Sequence, residues 1–385
     1  MSITLQPVEA SGLKSVIATE RLSARSQRQP NLTRETQALL ALQRELSIDP
    51  TGFFQKLADA ALALSNADST GISLLNEKSK RFIWPAVAGP FHVYLWEGTP
   101  SDFGPCGTVL ERNSTQLMLH PERHFTYLQP IQPPLEEVLL VPFHIDEKVV
   151  GTIWAVIHDR GRHFDGEDKR LLESLSTFAS SAYRTLAENG LLEQLLRKPA
   201  RHQCLVYSGA PSTHLPDIAR TLSQRLTAGH RCLYLNSPTM VAGMRSHLAA
   251  TGLDLKTYVE RGALMLSSDQ SHLVEGKFDV DRMLRLLEDA VRKALADGYV
   301  GLWAAGDMTW EFGNESNFGK LLEYERRLEE VMQRTPGLSG VCLYHRDTLP
   351  AHAIETALAT HTDLYVSATL SQLNSRYAGP VAQAV

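Results

Sequence analysis

The chain has 385 residues, more than one ordinary core needs, which predicts two domains plus connecting segments. Hydrophobic residues make up 43% and charged residues 21%, a globular balance that excludes a largely disordered chain. The formal net charge of −5 excludes a global basic field for nucleic acid, and no apolar run is as long as a membrane span. No signal peptide is predicted, and the four cysteines form no CxxC pair, which favours a soluble protein of the reducing cytoplasm.

The first 165 residues predict a flexible tail followed by a sensory-type α+β unit. Residues 1–34 show little periodicity, which favours a frayed tail over a basic partner-binding arm. Apolar residues at helical spacing then predict two helices, and short apolar segments predict an antiparallel sheet, over residues 35–165. Between two of its strands, the segment 121–134 contains four prolines. Such a loop over a sheet is expected to cover a cavity.

Residues 166–199 predict a long connecting helix. Asp165 is a good N-cap, and Asp168 three residues later is typical of a capping box. Apolar residues recur every three or four positions, and Gly190 interrupts them. The apolar seam has two interpretations: it pairs with its twin in a homodimer, or it packs back onto its own sheet.

From Pro199 onward, strands alternate with helices, which predicts a mostly parallel α/β sheet over residues 200–370 and a tail over 371–385. Ligands bind such sheets at the carboxyl ends of the strands. The order of elements resembles a RecA-like nucleotide-binding unit, so the loop after the first strand is the place for a phosphate loop. That loop, 208–214, has one glycine, a proline and no lysine, so a P-loop ATPase is not favoured.

Three ordered segments carry a family resemblance in this second domain. They are Gly306-Asp307-Met308-Thr309-Trp310, the pair Tyr324-Glu325, and Cys342-Leu343-Tyr344. Together with the strand leading to Tyr207 and the segment 229–234, they resemble the MEDS domain, the sensory domain named from methanogens and methylotrophs. Asp307 stands where the family often has Glu, which keeps the charge and shortens the reach. The resemblance implies a RecA/KaiC relative that has lost its phosphate loop and senses small molecules.

A ligand site in this domain is expected to combine a polar floor with apolar walls. The candidate residues are Tyr207, Tyr234, Asp307, Met308, Trp310, Glu323 and Tyr344. Glu323 and Glu325 are two apart on a helix, so at most one of them faces the site. The alternative is that the aromatic residues fill the core and the glutamates face solvent or pair with arginines.

In the first domain, the segments 103–108, 140–143, 150–154 and 162–168 resemble the GAF modules of bacterial sensor histidine kinases, over about residues 50–188. The resemblance implies a small-molecule pocket between sheet and covering loops, or a dimerising module. The candidate lining residues are Trp84, Tyr94, Trp96, Phe103, Cys106 and Tyr127. Cys106 is followed by Gly107 rather than His, so packing is favoured over a covalent chromophore. The histidines of this domain show no paired ligand spacing, so neither a metal nor another cofactor is predicted.

Three classes of function stay open at this point. The favoured one is a cytoplasmic bacterial signalling protein, a two-component-associated sensor that binds small molecules and signals through a homodimer to a histidine kinase or regulator. The alternatives are a ligand-free scaffold or adaptor, and an enzyme using Asp307 with Glu323 or His345 as acid and base. No catalytic constellation is found, and neither nucleic acid nor membrane is an expected partner.

Overall fold

The computed structural model describes residues 9–196, 202–312 and 315–378. Its contacts divide the chain into two compact units, Met1–Lys198 and Pro199–Val385, and each is described by itself. In the described part of the chain, no helix combines the length and apolarity needed to cross a membrane.

The first unit is built on an antiparallel sheet. Its strands are β1 (Ser69–Asn76), β2 (Arg81–Ala88), β3 (Gln116–Leu119), β4 (Glu137–Ile145) and β5 (Lys148–Ile157). They lie in the order β2-β1-β5-β4-β3. The helices are α1 (Glu9–Val16), α2 (Arg21–Ala24), α3 (Leu32–Ile48), α4 (Phe53–Leu64), α5 (Pro105–Arg112), α6 (Gly166–Glu188) and α7 (Leu192–Leu195).

Helices α4 and α6 cover one face of this sheet. Phe53, Phe54 and Leu57 of α4 are fully buried and belong to one apolar cluster with Leu172 and Leu175 of α6. These residues recur at the helical period, so each helix presents one apolar stripe to the strands. The opposite face of the sheet is covered by the segment between β2 and β4, which encloses the cavity described below.

The N-terminal segment differs from the flexible tail that its sequence predicts. Ala18 N donates to Leu117 O at 2.8 Å, and Val16 and Leu22 are buried. The Arg25 guanidinium donates to both carboxylate oxygens of Glu137, at 2.9 and 2.6 Å. Contacts with residues more than 90 positions away therefore hold the described part of this segment in place. Such contacts leave no local periodicity in the sequence from which they could be predicted.

Helix α6 begins as predicted and packs onto its own domain. Asp165 accepts from the backbone N–H of Asp168, and the Asp168 carboxylate accepts from Asp165 N, which completes the capping box. The chain turns at Gly190, whose φ of +69° favours glycine, before the short α7. The buried residues of α6 face the sheet, so the described part of 166–199 follows the second interpretation of its seam; residues 197–199 lie outside the described residues.

The second unit contains a mostly parallel sheet. Its strands are β6 (His202–Tyr207), β7 (Arg231–Leu235), β8 (Leu264–Ser267), β9 (Leu273–Val274), β10 (Lys277–Phe278), β11 (Leu302–Asp307), β12 (Leu338–His345), β13 (Asp363–Tyr365) and β14 (Ser371–Leu373). Seven of them form one sheet in the order β14-β13-β6-β12-β11-β7-β8, while β9 and β10 pair separately. The helices are α8 (Leu215–Thr227), α9 (Pro238–Ala250), α10 (Leu255–Glu260), α11 (Val280–Ala296), α12 (Met308–Glu311), α13 (Leu321–Arg334) and α14 (Ala351–Thr360).

Two helical layers cover the two faces of the parallel sheet. Residues of α11, α13 and α14 form one core with Cys342 and Tyr344 of β12, and residues of α8 and α9 form the other with Val341 and Leu343. Neighbouring residues of β12 thus point to opposite faces, as in any strand. The predicted tail over 371–385 starts later than expected, because β14 pairs with β13 in antiparallel register; residues 379–385 lie outside the described residues.

Candidate functional site

The first unit encloses a small apolar cavity of about 40 Å³ between its sheet and the covering segment. Trp84 and Trp154 contribute from the strands, while Pro121, Leu128 and Ile131 contribute from the proline-rich loop. That loop therefore covers a cavity, as the sequence predicts. A space of this size holds about three water molecules or a ligand of similar bulk.

Two indole N–H groups in this cavity wall lack acceptors. Trp84 and Trp154 are 6% and 4% exposed, and their ring centroids are 5.3 Å apart. Neither Nε1 atom has a hydrogen-bond partner among the described residues. Gly71 lies opposite Trp154 in the register, and a Cβ there would lie 2.1 Å from the Trp154 ring. The sheet thus makes room for an indole whose donor is left unsatisfied, at a cost of about 1–3 kcal/mol.

Of the residues predicted for this pocket, Trp84 and Cys106 line the cavity. The Cys106 thiol lies 3.3 Å from Ser73 Oγ, and burial raises its pKa, so it is a packed thiol and not a reactive one. The other predicted residues are outside the lining. The Tyr94 hydroxyl instead forms hydrogen bonds with the backbone of Gln132, and Trp96 is half-buried on a loop. The Tyr127 hydroxyl lies near Thr99, and Phe103 is 43% exposed.

In the second unit, polar side chains meet at the carboxyl ends of four adjacent strands. Asp307 ends β11, and its Oδ1 accepts from Trp310 N at 3.0 Å, which caps α12. Its Oδ2 accepts from the Tyr207 hydroxyl at 3.1 Å and from Asn236 Nδ2 at 3.4 Å. Tyr207 ends β6, and Asn236 directly follows β7. Burial raises the pKa of Asp307, although these donors oppose the shift.

Two residues at and just after the end of β12 form hydrogen bonds with the loop that follows β6. His345 Nε2 donates to Gly209 O at 2.8 Å, and Gly209 N donates to the Asp347 carboxylate at 2.8 Å. His214, at the end of the same loop, is 5% exposed and packs on the Tyr207 ring at 4.5 Å. Neither of its ring nitrogens has a partner among the described residues, and burial lowers its pKa to about 4. The sequence did not single out His214 as a site residue.

The remaining predicted residues of this domain are dispersed. Met308 lines a separate apolar cavity of about 30 Å³ together with the buried acid Glu311, whose pKa burial raises well above its usual range. Tyr234 is fully buried, and its hydroxyl accepts from Asn236 Nδ2 at 3.0 Å. The Trp310 side chain is half-buried, and its carbonyl accepts from Gln270.

Of Glu323 and Glu325, the two glutamates weighed for the site, the structure points Glu325 inward. Glu323 is exposed and pairs with Arg327 at 3.3 Å, so it lies away from the Asp307 cluster. Glu325 is fully buried, and the Tyr344 hydroxyl donates to its Oε1. The expectation that only one of the two faces inward is thus met, but Glu323 was the residue chosen.

Glu325 belongs to a buried cluster that contains side chains of metal-ligand type. One potential ligand atom from each of four residues lies within 4.8 Å of every other, and all four residues are buried: His202, Glu325, Cys342 and His361. The sequence did not reveal this cluster, because the four residues come from four separate segments of the chain. The sequence signal that pointed toward this cluster was the presence of two motifs, Tyr324-Glu325 on a helix and Cys342-Leu343-Tyr344 on the following strand.

Two family models match the chain. The GAF domain model matches residues 47–183, and the MEDS model, the MEthanogen/methylotroph, DcmR Sensory domain, matches residues 201–362. No curated protein matches the chain.

Solved structures resemble the first unit. The GAF domain of an Acinetobacter phosphoenolpyruvate-protein phosphotransferase is 18% identical, with a TM-score of 0.36, and the match covers 42% of this chain and 97% of that one. Free methionine-R-sulfoxide reductase from Neisseria meningitidis is 14% identical, with a TM-score of 0.36, over 43% and 97% of the two chains. The GAF-B domain of DevS from Mycobacterium smegmatis is 19% identical, with a TM-score of 0.31, over 37% and 99%.

Proposed function

Because the chain carries a GAF domain over residues 47–183 followed by a MEDS domain over 201–362, we propose that it is a cytoplasmic signalling protein that senses small molecules. In this proposal, a ligand in either domain shifts the balance between two conformations, and a homodimer passes the change to a histidine kinase or regulator. The observation that carries the proposal is the apolar GAF cavity, two of whose lining tryptophans have unpartnered indole N–H groups.

The cavity defines the class of ligand that it would accept. Its lining is apolar, and the lining residues with unpartnered polar atoms are Trp84, Trp154 and Thr99, so we infer a ligand with little charge and a hydrogen-bond acceptor for the indole N–H groups. Its volume limits the ligand to a few non-hydrogen atoms. Short aldehydes and ketones meet these requirements.

The proposal includes no catalytic step and no nucleotide. The nucleotide alternative is disfavoured by the loop 208–214, because the Asp347 carboxylate accepts from Gly209 N, the kind of backbone donor that a phosphate would need. The order β13-β6-β12-β11-β7 supports a RecA/KaiC-like ancestry for this sheet. In this proposal the fold is kept and the MEDS site forms at the same edge, around Asp307 and His214.

The experiment follows the indole N–H signals directly. The full chain, with ¹⁵N-labelled tryptophan, has five such signals, which single Trp→Phe variants assign. Native mass spectrometry of the protein from its own host first reports any retained small molecule. Acetone is then titrated as the probe, and we expect the Trp84 and Trp154 signals to shift together while Trp96 does not.

Two variants decide the outcome. Trp154→Phe removes one donor and keeps the apolar wall, so it weakens the acetone response of Trp84. Trp96→Phe, the matched control outside the cavity lining, leaves that response unchanged. The proposal fails if no small molecule is retained and acetone, acetaldehyde and methyl acetate all leave Trp84 and Trp154 unmoved.

A further inference from the structure

The buried cluster in the MEDS domain has the geometry of a metal centre. His202 begins β6, Cys342 lies in the adjacent strand β12, Glu325 comes from α13, and His361 follows α14. His202 Nε2 is 3.4 Å from Cys342 Sγ and 4.0 Å from Glu325 Oε2. Glu325 Oε2 is 3.5 Å from His361 Nε2. A tetrahedral zinc site has ligand-to-ligand distances of about 3.4 to 3.6 Å. All pairs of the four atoms here lie within 4.8 Å, so a contraction of at most about 1.4 Å would complete such a site.

The hydrogen bonds around the cluster fix which nitrogen of each histidine faces inward. His361 Nδ1 lies 2.7 Å from the Ala357 carbonyl, which can only accept, so Nδ1 carries the proton. His202 Nδ1 lies 3.1 Å from the Glu329 carboxylate and donates to it in the same way. Both Nε2 atoms therefore direct lone pairs into the cluster.

Several acceptors thus converge on one closed space. Glu325 Oε2 and His361 Nε2 have no hydrogen-bond partner among the described residues, although both residues are fully buried. Unsatisfied acceptors in a dry interior are costly, and a cation removes that cost. A divalent cation with the thiolate of Cys342, the carboxylate of Glu325 and two neutral imidazoles has zero net charge, which suits a buried site.

We propose that this cluster binds a divalent cation of the Zn²⁺ class through four side-chain atoms: His202 Nε2, Glu325 Oε2, Cys342 Sγ and His361 Nε2. Two imidazoles, a thiolate and a carboxylate form the mixed donor set that zinc accepts and that the hard cations Mg²⁺ and Ca²⁺ do not prefer. Four protein ligands make a closed site, so the metal would join β6, β12, α13 and the end of α14 and stabilise the domain. Binding releases the Cys342 proton to solvent.

The groups behind the ligands support this assignment. Glu329, which accepts from His202, is itself held by Gln333 Nε2 at 2.7 Å and by the Tyr377 hydroxyl at 3.1 Å. The Tyr344 hydroxyl donates to Glu325 Oε1, which leaves Oε2 free for the metal. Carboxylates and carbonyls that accept from the outer nitrogen of a histidine are the usual support of a zinc ligand.

The competing arrangement uses protons in place of the metal. A protonated Glu325 would donate to His361 Nε2, and the Cys342 S–H would donate to His202 Nε2. The two arrangements predict different metal contents for the folded, full-length protein.

The test measures metal content and the identity of the sulfur ligand. The full chain is produced with zinc, dialysed and measured by elemental analysis, and we expect about one Zn²⁺ per chain. Replacement by Co²⁺ should add a thiolate charge-transfer band in the near ultraviolet. Cys342→Ser should remove this band, while Cys204→Ser, the control at the paired position of β6, should keep it. Likewise His361→Gln should lose the metal, and His352→Gln on α14 should retain it.

A milder pair of variants covers the case in which a ligand variant fails to fold. Glu329→Gln alters only the partner of His202 and should weaken Zn²⁺ affinity by about 10- to 100-fold in competition with a chelator. Glu330→Gln, the next residue on α13, should leave the affinity unchanged. The proposal is overturned if the folded protein takes up neither Zn²⁺ nor Co²⁺. It is also overturned if Cys342→Ser keeps the charge-transfer band, or if Glu329→Gln and Glu330→Gln bind zinc equally.

Discussion

His214 is a buried imidazole that packs against the Tyr207 ring, and its two nitrogens have no partners among the described residues. Burial lowers its pKa to about 4, and the nearby His345 adds to the shift. In the unfolded chain its pKa is that of a free histidine, about 6.5. The unfolded state therefore binds more protons between these two values, and the native state loses stability as the pH falls through that range.

The first prediction concerns this acid sensitivity. Between pH 7 and pH 5, His214 should cost the wild-type protein about 2 kcal/mol of unfolding free energy. His214→Phe keeps the ring contact with Tyr207 and removes the titration, so its stability should fall less over the same interval. Urea unfolding at pH 7, 6 and 5 measures the difference. His352→Phe, at an exposed position, should retain the wild-type slope, and equal slopes in His214→Phe and wild type would contradict the prediction.

Asp307 supports the MEDS site in two ways, as the cap of α12 and as the acceptor for Tyr207 and Asn236. The second prediction is that Asp307→Ala lowers the unfolding free energy by about 2–3 kcal/mol, because it removes a cap and orphans buried donors. Asp279→Ala, which removes an exposed cap of α11, should cost about 1 kcal/mol. Denaturant titration of both variants measures the difference. Equal losses would mean that the Tyr207 and Asn236 contacts contribute nothing.

At this scale, the sequence located the site only in part. Asp307 could be placed at a strand end because its strand and the following helix have clear patterns. Glu323 was chosen over Glu325 because their spacing shows only that they lie on different faces of the helix. It does not show which face packs against the sheet. His214 and His202 escaped notice, since burial without a partner is a property of the folded environment and leaves no local pattern.

At the scale of elements, the periodicity of apolar residues was sufficient to predict a helix or strand that packs on the core through one continuous face. Helices α4 and α6 and the alternation of strands and helices in the second domain follow from the spacing of apolar residues. The N-terminal segment was missed because ion pairs hold it. Arg25 lies 112 positions from Glu137, and Arg28 forms a 2.5 Å ion pair with Asp168. Pairings over such distances are set by the tertiary fold.

The third prediction concerns this anchor. Glu137 is 2% exposed, so Arg25→Ala leaves a buried carboxylate with fewer donors and should destabilise the GAF domain by about 3 kcal/mol. Arg34→Ala, at an exposed position of α3, should change stability by less than about 0.5 kcal/mol. Thermal unfolding of the two variants is the measurement. Similar unfolding midpoints for Arg25→Ala and Arg34→Ala would contradict this prediction and favour the flexible tail expected from the sequence.

At the scale of the whole molecule, the question is whether one domain responds to the other. Each of the two units has its own apolar cores, and α6 ends at Glu188, before the turn at Gly190. The exposed face of α6 carries polar residues such as Glu173, Thr177 and Ser181. Light scattering over a range of concentrations tests whether the predicted homodimer forms.

The last prediction follows from these separate cores. We expect the full chain to unfold in two transitions, the first reported by Trp84 and Trp154 and the second by Trp303. Arg25→Ala should lower only the first midpoint, and Zn²⁺ should raise only the second, because a ligand stabilises the unit that binds it. Differential scanning calorimetry, with the single-tryptophan signals, assigns each transition. If Arg25→Ala instead shifts both midpoints, the two domains are energetically coupled, and a signal passes within one chain. Independent transitions instead favour an output through the homodimer or through a partner protein.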